Sequence, residues 1–290
     1  MSVAAAPGRT TVGRVGAEIA SWSLTLKIGS VMMLAITLAA IFAPLIAPYD
    51  PYAQDFTVTM QPPSLAHLFG TDNVGRDIFS RVIYGARIDL YIGVLTTYVP
   101  LTYGVMIGAI SGYVGGRLDT VMMRILDTAM AFPFLVLIVV ILAILGPGEQ
   151  NIFIAIFLVG WTMYARLARA EMLVEKNKDY MIAARVLGYP TTRILFRHGL
   201  PNVISSSIVF SMSDFVLNIL LVSGLSFIGL GIRPPIPEWG AMVAEGKDFM
   251  LQAWWISTMP GLVIVFTGTA LSLIGDGLAR RLGERHRSVV

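Results

Sequence analysis

Four polar residues interrupt an otherwise apolar stretch in the second half of the chain: Ser207, Ser211, Asp214 and Asn218. Their spacings of four, three and four residues place them along one face of a helix. A carboxylate within such a stretch is costly in hydrocarbon and normally faces a cavity or a polar partner. Two readings stand side by side. Either this face lines a path for a solute, with Asp214 favouring cationic groups, or it makes a structural contact with a polar group on another segment.

Other chemistries find few residues to carry them. No G-x-x-x-x-G-K-[ST] run occurs, so the chain has no P-loop with which to hold ATP. The three histidines, His67, His198 and His286, lie far apart without ligand spacing, and there is no cysteine to serve as nucleophile, zinc ligand or disulfide partner. No nucleophile, base and acid stand together, which disfavours an intramembrane enzyme and leaves this chain without a cofactor of its own. A net charge of +3 gives little reason to expect nucleic acid.

The polar face must be held by elements suited to lipid. Of 290 residues 56% are apolar and only 13% charged, too few charges to cover a water-facing surface of this size. A membrane span needs about 20 mainly apolar residues, and six stretches qualify: 29–47, 88–110, 121–145, 152–167, 204–232 and 255–274. Backbone amides in lipid must be bonded within the segment, so the expected fold is all-α and polytopic, with about six transmembrane helices. Arg9, Arg14 and Lys27 precede the first stretch, which is too long for a signal-peptide core and reads as an uncleaved span. With the N-terminus inside, Arg76, Arg81, Arg87, Arg233 and Lys247 are the five of 21 basic residues that fall outside. That bias predicts both termini in the cytoplasm.

Two connections exceed simple turns: 48–87 outside and 171–202 inside. In the second, Tyr180, Ala183, Ala184 and Leu187 form an i, i+3, i+4, i+7 stripe on a short helix, with Lys178 and Arg185 off it. Gly188 allows a left-handed end and Pro190 blocks continuation. Thr191 or Thr192 then caps a second short helix carrying Ile194 and Leu195, closed by Pro201. The stripe either packs on the protein's own spans or docks a soluble partner. Elsewhere, Arg76, Asp77 and Arg81 are expected to make ion pairs on a surface helix along the membrane, Arg124 and Asp127 to pair at i, i+3, and Gly104, Gly108, Gly112 and Gly116 to let two helices approach closely.

The inside loop resembles a known family. Ala183-Ala184, three residues, Gly188, nine residues, His198, one residue and Leu200-Pro201 match the spacing of the signature loop of binding-protein-dependent ABC importer permeases. Ile182 and His198 replace the family's usual Glu and Ile, and both departures are similar to the dipeptide, oligopeptide and nickel branch. Further segments resemble its C-type permease subunit: FGTDNVGRDIFSRVIYGARIDL from Phe69, GYVGGRLD from Gly112, LSFIGLGIRPPIPEWGAM from Leu225, and Gly275 to Leu278. The tail from Ala279 departs from the family's R-D-x-L-D-P.

The resemblance implies a pore-forming subunit in a bacterial inner membrane that works by alternating access. Residues 1–28 would be a cytoplasmic segment, 29–278 the transmembrane domain and 279–290 a cytoplasmic tail. Tyr180, Ala183, Ala184, Arg185, Leu187, Gly188, His198, Leu200 and Pro201 would form the coupling loop, between spans 4 and 5, that seats in an ATPase. Implied partners are a second homologous permease, two ATPase subunits holding ATP and magnesium, an extracytoplasmic solute-binding protein, and lipid. Peptides, nickel chelates or similar small solutes would be the cargo, and an amino terminus the kind of cation that Asp214 favours. A secondary carrier or channel without an ATPase is the alternative, in which the loop has no evident task.

Overall fold

The computed structural model describes residues 22–287, with side chains described as far as 282. Arg9, Arg14 and most of the N-terminal segment lie outside the described residues, as do the side chains of Arg285 and Arg287. Among the described residues the fold is all-α, with a single isolated bridge between Thr71 and Asp77. Five helices are long and apolar enough to cross a membrane, and a sixth span exists if one bent pair is counted together.

The first span, α1 (Leu24–Ile41), opens where the Ser23 hydroxyl accepts the Leu26 N–H at 3.3 Å. A long connection follows, and Asp77 caps α2 (Ile78–Val114), its Oδ2 accepting the Ser80 N–H at 2.8 Å. At 37 residues α2 is about 55 Å long, well beyond a hydrocarbon layer of roughly 30 Å. It ends at Gly115 and Gly116, whose positive φ values of 71° and 62° turn the chain. Gly116 therefore does not extend the small-residue stripe.

The expected third span is corrected. Residues 121–145 do not form one helix: α3 (Gly116–Met130) and α4 (Phe134–Leu145) meet at an angle of 83°. Pro133 stands in the break, where its missing N–H and its ring end one helix, and it biases Phe132 away from helical backbone. The fourth span is longer than expected: α5 (Glu149–Glu175) continues through Arg166 and Arg169. These arginines are paired along α3, Arg169 with Asp119 at 2.5 and 2.6 Å and Arg166 with Asp127 at 2.7 Å. Asp127 thus pairs across to α5, not with Arg124.

After α6 (Asp179–Val186) the chain turns at Gly188 and runs helically from Thr191 to Phe227. Pro201 does not close a short helix, as the sequence suggested. A turn of π-helix, Ile194–Gly199, leads directly into α7 (Leu200–Phe227), and Pro201 occupies its first turn, where no N–H is required. The short helix α8 (Trp239–Gly246) and the last span α9 (Trp255–Arg287) complete the order.

The closest helix contact is between α2 and α5. A Cβ on Gly108 would stand 2.1 Å from the Ala165 carbonyl oxygen, and on Gly104 2.7 Å from that of Trp161. The glycine stripe therefore serves packing within this chain.

Candidate functional site

At the end of the molecule formed by the 48–77 connection, a buried ionic cluster corrects the expected surface pairs. Asp72 Oδ2 receives Arg76 Nε and Arg81 Nη1, each at 2.6 Å, and Glu245 contacts Arg76 Nη2 at 3.0 Å and Arg81 Nη2 at 2.8 Å. Arg81 is 1% exposed. Asp77 caps α2 and meets His67 Nδ1 at 3.0 Å. Trp255 donates its indole N–H to the Thr71 carbonyl at 3.1 Å, so the same segment also fixes the start of α9. These residues clamp an irregular connection onto three helices. Nearby, Thr57 donates side-chain and backbone hydrogen bonds to Asp55, which hold its carboxyl below the usual range.

At the opposite end of α7 stands the loop with α6. Its expected stripe divides. Ala184 turns inward with Met181 and Ile194 beside Tyr113, whereas Tyr180, Ala183 and Leu187 face outward. The inward pair anchors α6. The outward side shows Val186 at 82% and Leu187 at 70% exposure, with Ile182 and Arg185 exposed on the same short helix. Gly188 has φ 75°, and its position is open to added atoms, so the glycine answers the turn and not crowding. His198 stacks parallel to Tyr189 at 6.3 Å, and Arg193 sits 4.3 Å above that tyrosine ring.

The loop is joined to α7 by side chains. Tyr180 donates its hydroxyl to Glu175, Asn202 donates to the Tyr180 oxygen at 2.9 Å and to the His198 carbonyl at 2.7 Å. Burial, and then Glu175, push the Tyr180 phenol above its ordinary range, so it keeps its proton at neutral pH. The Leu200 N–H bonds to the Leu195 carbonyl across the wide turn, and Pro201 follows without a donor. Glu175 was not picked out by sequence pattern, and Asn202 stood out only as the end of the His198-to-Asn202 segment that resembles the family loop. Their role depends on a tyrosine between them in space.

The polar face of α7 is also divided. Ser207 and Ser211 are buried in helix packing. Asp214 and Asn218 instead line a cavity of about 720 Å³ between α5, α7 and the elbow at Phe132 and Pro133. Asp214 Oδ2 accepts the Tyr164 hydroxyl at 2.7 Å and the Asn218 amide at 3.1 Å. Asn218 also reaches the Thr97 hydroxyl at 3.1 Å and the Thr96 carbonyl at 3.3 Å. The face thus touches polar groups of other spans, and its carboxylate borders open space. Among the described residues no group of three His, Asp or Glu side chains is placed to hold a metal.

Two family descriptions match the chain: "binding-protein-dependent transport system inner membrane component" over residues 104–288, and "N-terminal TM domain of oligopeptide transport permease C" over 27–63. The chain is 42% identical over 263 residues to the di/tripeptide transport system permease protein DppC of Pseudomonas aeruginosa, covering 89% of this chain and 87% of that one. It is 42% identical over 264 residues to the dipeptide transport system permease protein DppC of Haemophilus influenzae, covering 89% and 90%. It is 40% identical over 249 residues to the probable D,D-dipeptide transport system permease protein DdpC of Escherichia coli, covering 86% and 84%. With its apolar helices and these matches together, the chain belongs to the membrane-embedded permease subunits of binding-protein-dependent ABC transport systems.

Proposed function

We propose that this permease is one of two pore-forming subunits of an ATP-driven importer of short peptides in a bacterial plasma membrane. The cargo follows the relatives, whose names specify di- and tripeptides, dipeptides and D,D-dipeptides. In this reading both termini and the α6 loop lie in the cytoplasm, residues 29–278 form the transmembrane domain, and the 48–87 connection meets an extracytoplasmic solute-binding protein. A second, homologous permease completes the path. Two ATPases bind ATP and magnesium, and one of them grips α6.

One observation carries the reading most directly. The outward face of α6 is apolar and open, yet α6 is hydrogen-bonded to the first turn of α7 through Tyr180 and Asn202. An exposed apolar patch calls for a partner, and the link gives that partner a hold on a span. Tyr180, Ala183, Leu187 and Gly188 form the gripped surface with Arg185. Ala184, His198, Leu200 and Pro201 join it to α7, and Asp214 and Asn218 line the solute path. ATP binding biases the two pore states through the difference in contact energy at this loop.

The chain has no cysteine, so Leu187→Cys installs a single thiol. In membranes holding the complete transporter, that thiol is expected to crosslink to the ATPase subunit, with a yield that changes when ATP is bound. A thiol labelled only from the extracytoplasmic side, or crosslinking to no ATPase, would sink the proposal and favour a carrier without a motor.

A further inference from the structure

We propose that the cavity beside Asp214 is a binding subsite for a primary ammonium group carried next to an apolar side chain, as at the amino terminus of a peptide. This rests on the importer reading above. The cavity, at about 720 Å³, is of the size that holds small ligands. Its walls are mostly apolar, with Met163, Phe210 and Leu217 on the helices and Phe132 on the elbow.

The polar groups in those walls are nearly all used internally. Thr162 donates to the Val159 carbonyl at 2.9 Å. Asn218 directs its amide to Thr96, Thr97 and Asp214. Both hydrogen bonds to Asp214 arrive at Oδ2. Among the described residues Oδ1 accepts none, and no lysine, arginine or histidine forms an ion pair with this carboxylate.

A carboxylate in apolar surroundings is stabilised in part by hydrogen bonds and most strongly by a cation. The protein supplies two donors that fix the orientation of the group and withholds the counter-charge. The counter-charge then belongs to the passenger. An ammonium offers three donors to the one free oxygen, and the apolar walls accept the adjoining side chain. A second carboxylate is repelled from the same place, so the carboxyl end of a peptide lies elsewhere. Asp214 also sits near the midpoint of the 28 residues of α7. A passenger held there is remote from both aqueous faces, where a charge most needs a partner.

The test uses the complete transporter, with its second permease, ATPases and binding protein, reconstituted in vesicles with radiolabelled leucyl-alanine as the probe. Asp214→Asn is expected to lower initial uptake at least tenfold while ATP hydrolysis stimulated by loaded binding protein stays within twofold. Asp214→Glu is expected to restore at least a third of the uptake. Uptake by the Asn variant within twofold of the parent overturns the proposal. So does a parallel loss of uptake and ATP hydrolysis, or a Glu variant as poor as the Asn variant, since either marks a purely structural carboxylate. A parent complex without ATP-dependent uptake fails the importer reading itself, and the subsite falls with it.

Discussion

Asn202 donates its side-chain amide to the Tyr180 hydroxyl at 2.9 Å, joining the first turn of α7 to the first turn of α6. The tyrosine passes the link on to Glu175 at the end of α5. A single phenol therefore binds the ends of two spans to the short helix between them. Helical backbone alone would not do this, because a glycine turn and a π-helical turn separate α6 from α7.

Removing that phenol should loosen the coupling without unfolding the protein. A hydrogen bond to a charged group contributes about 1.5–3 kcal/mol, so Tyr180→Phe should weaken the tie from the loop to α5 and α7 while the packing around Ala184 stays. The expected result in reconstituted transporter is peptide uptake reduced several-fold with ATP hydrolysis largely preserved. The ratio of peptide transported to ATP consumed, measured in one set of vesicles, checks it.

The contact between α2 and α5 sets a second expectation. Gly108→Ala places a methyl 2.1 Å from the Ala165 carbonyl oxygen, and backbone cannot yield as a flexible side chain would. A loss of about 1–3 kcal/mol follows, read as a lower Tm in detergent. Gly224→Ala is the control: nothing lies within 4 Å, and alanine favours helix, so its Tm should not fall.

The two kinds of ion pair should differ sharply. Arg81→Ala leaves Asp72 and Glu245 buried without that guanidinium, a loss of about 3–5 kcal/mol. Arg166→Ala breaks a pair whose side chains are about half exposed, worth under about 1 kcal/mol. Thermal unfolding of the two variants in the same detergent compares them.

The spans were legible because lipid demands long apolar runs, and the run itself is the signal. The break at Pro133 was written in the sequence too, but 121–145 stays apolar enough to read as continuous. Hydropathy averages over a kink that one ring imposes. Pro201 misled for a related reason: a proline that ends one helix and a proline in the first turn of another look the same until the chain before it is seen to be helical. The stripe on α6 was found by period, yet the inward residue that completes Ala184's packing, Met181, lies one step off it.

Partnerships distant in sequence were not legible. Arg76 and Arg81 announced ion pairs by spacing, but Glu245 joins them from beyond five further helices. Asp214 and Asn218 were found as intramembrane polar residues. Tyr164 and Thr97, which determine how they are held, offered no pattern of their own.

The continuity of α7 has a mechanical consequence. Asp214 lies about 21 Å along the helix axis from Leu200, fourteen residues at 1.5 Å each. If the shaft pivots at its Leu200 end, a swing of about 10° carries the carboxylate sideways by about 4 Å, farther than the 2.7 Å reach from Tyr164. Small angular play at the Leu200 end would then be read out halfway along α7 as the making or breaking of one contact.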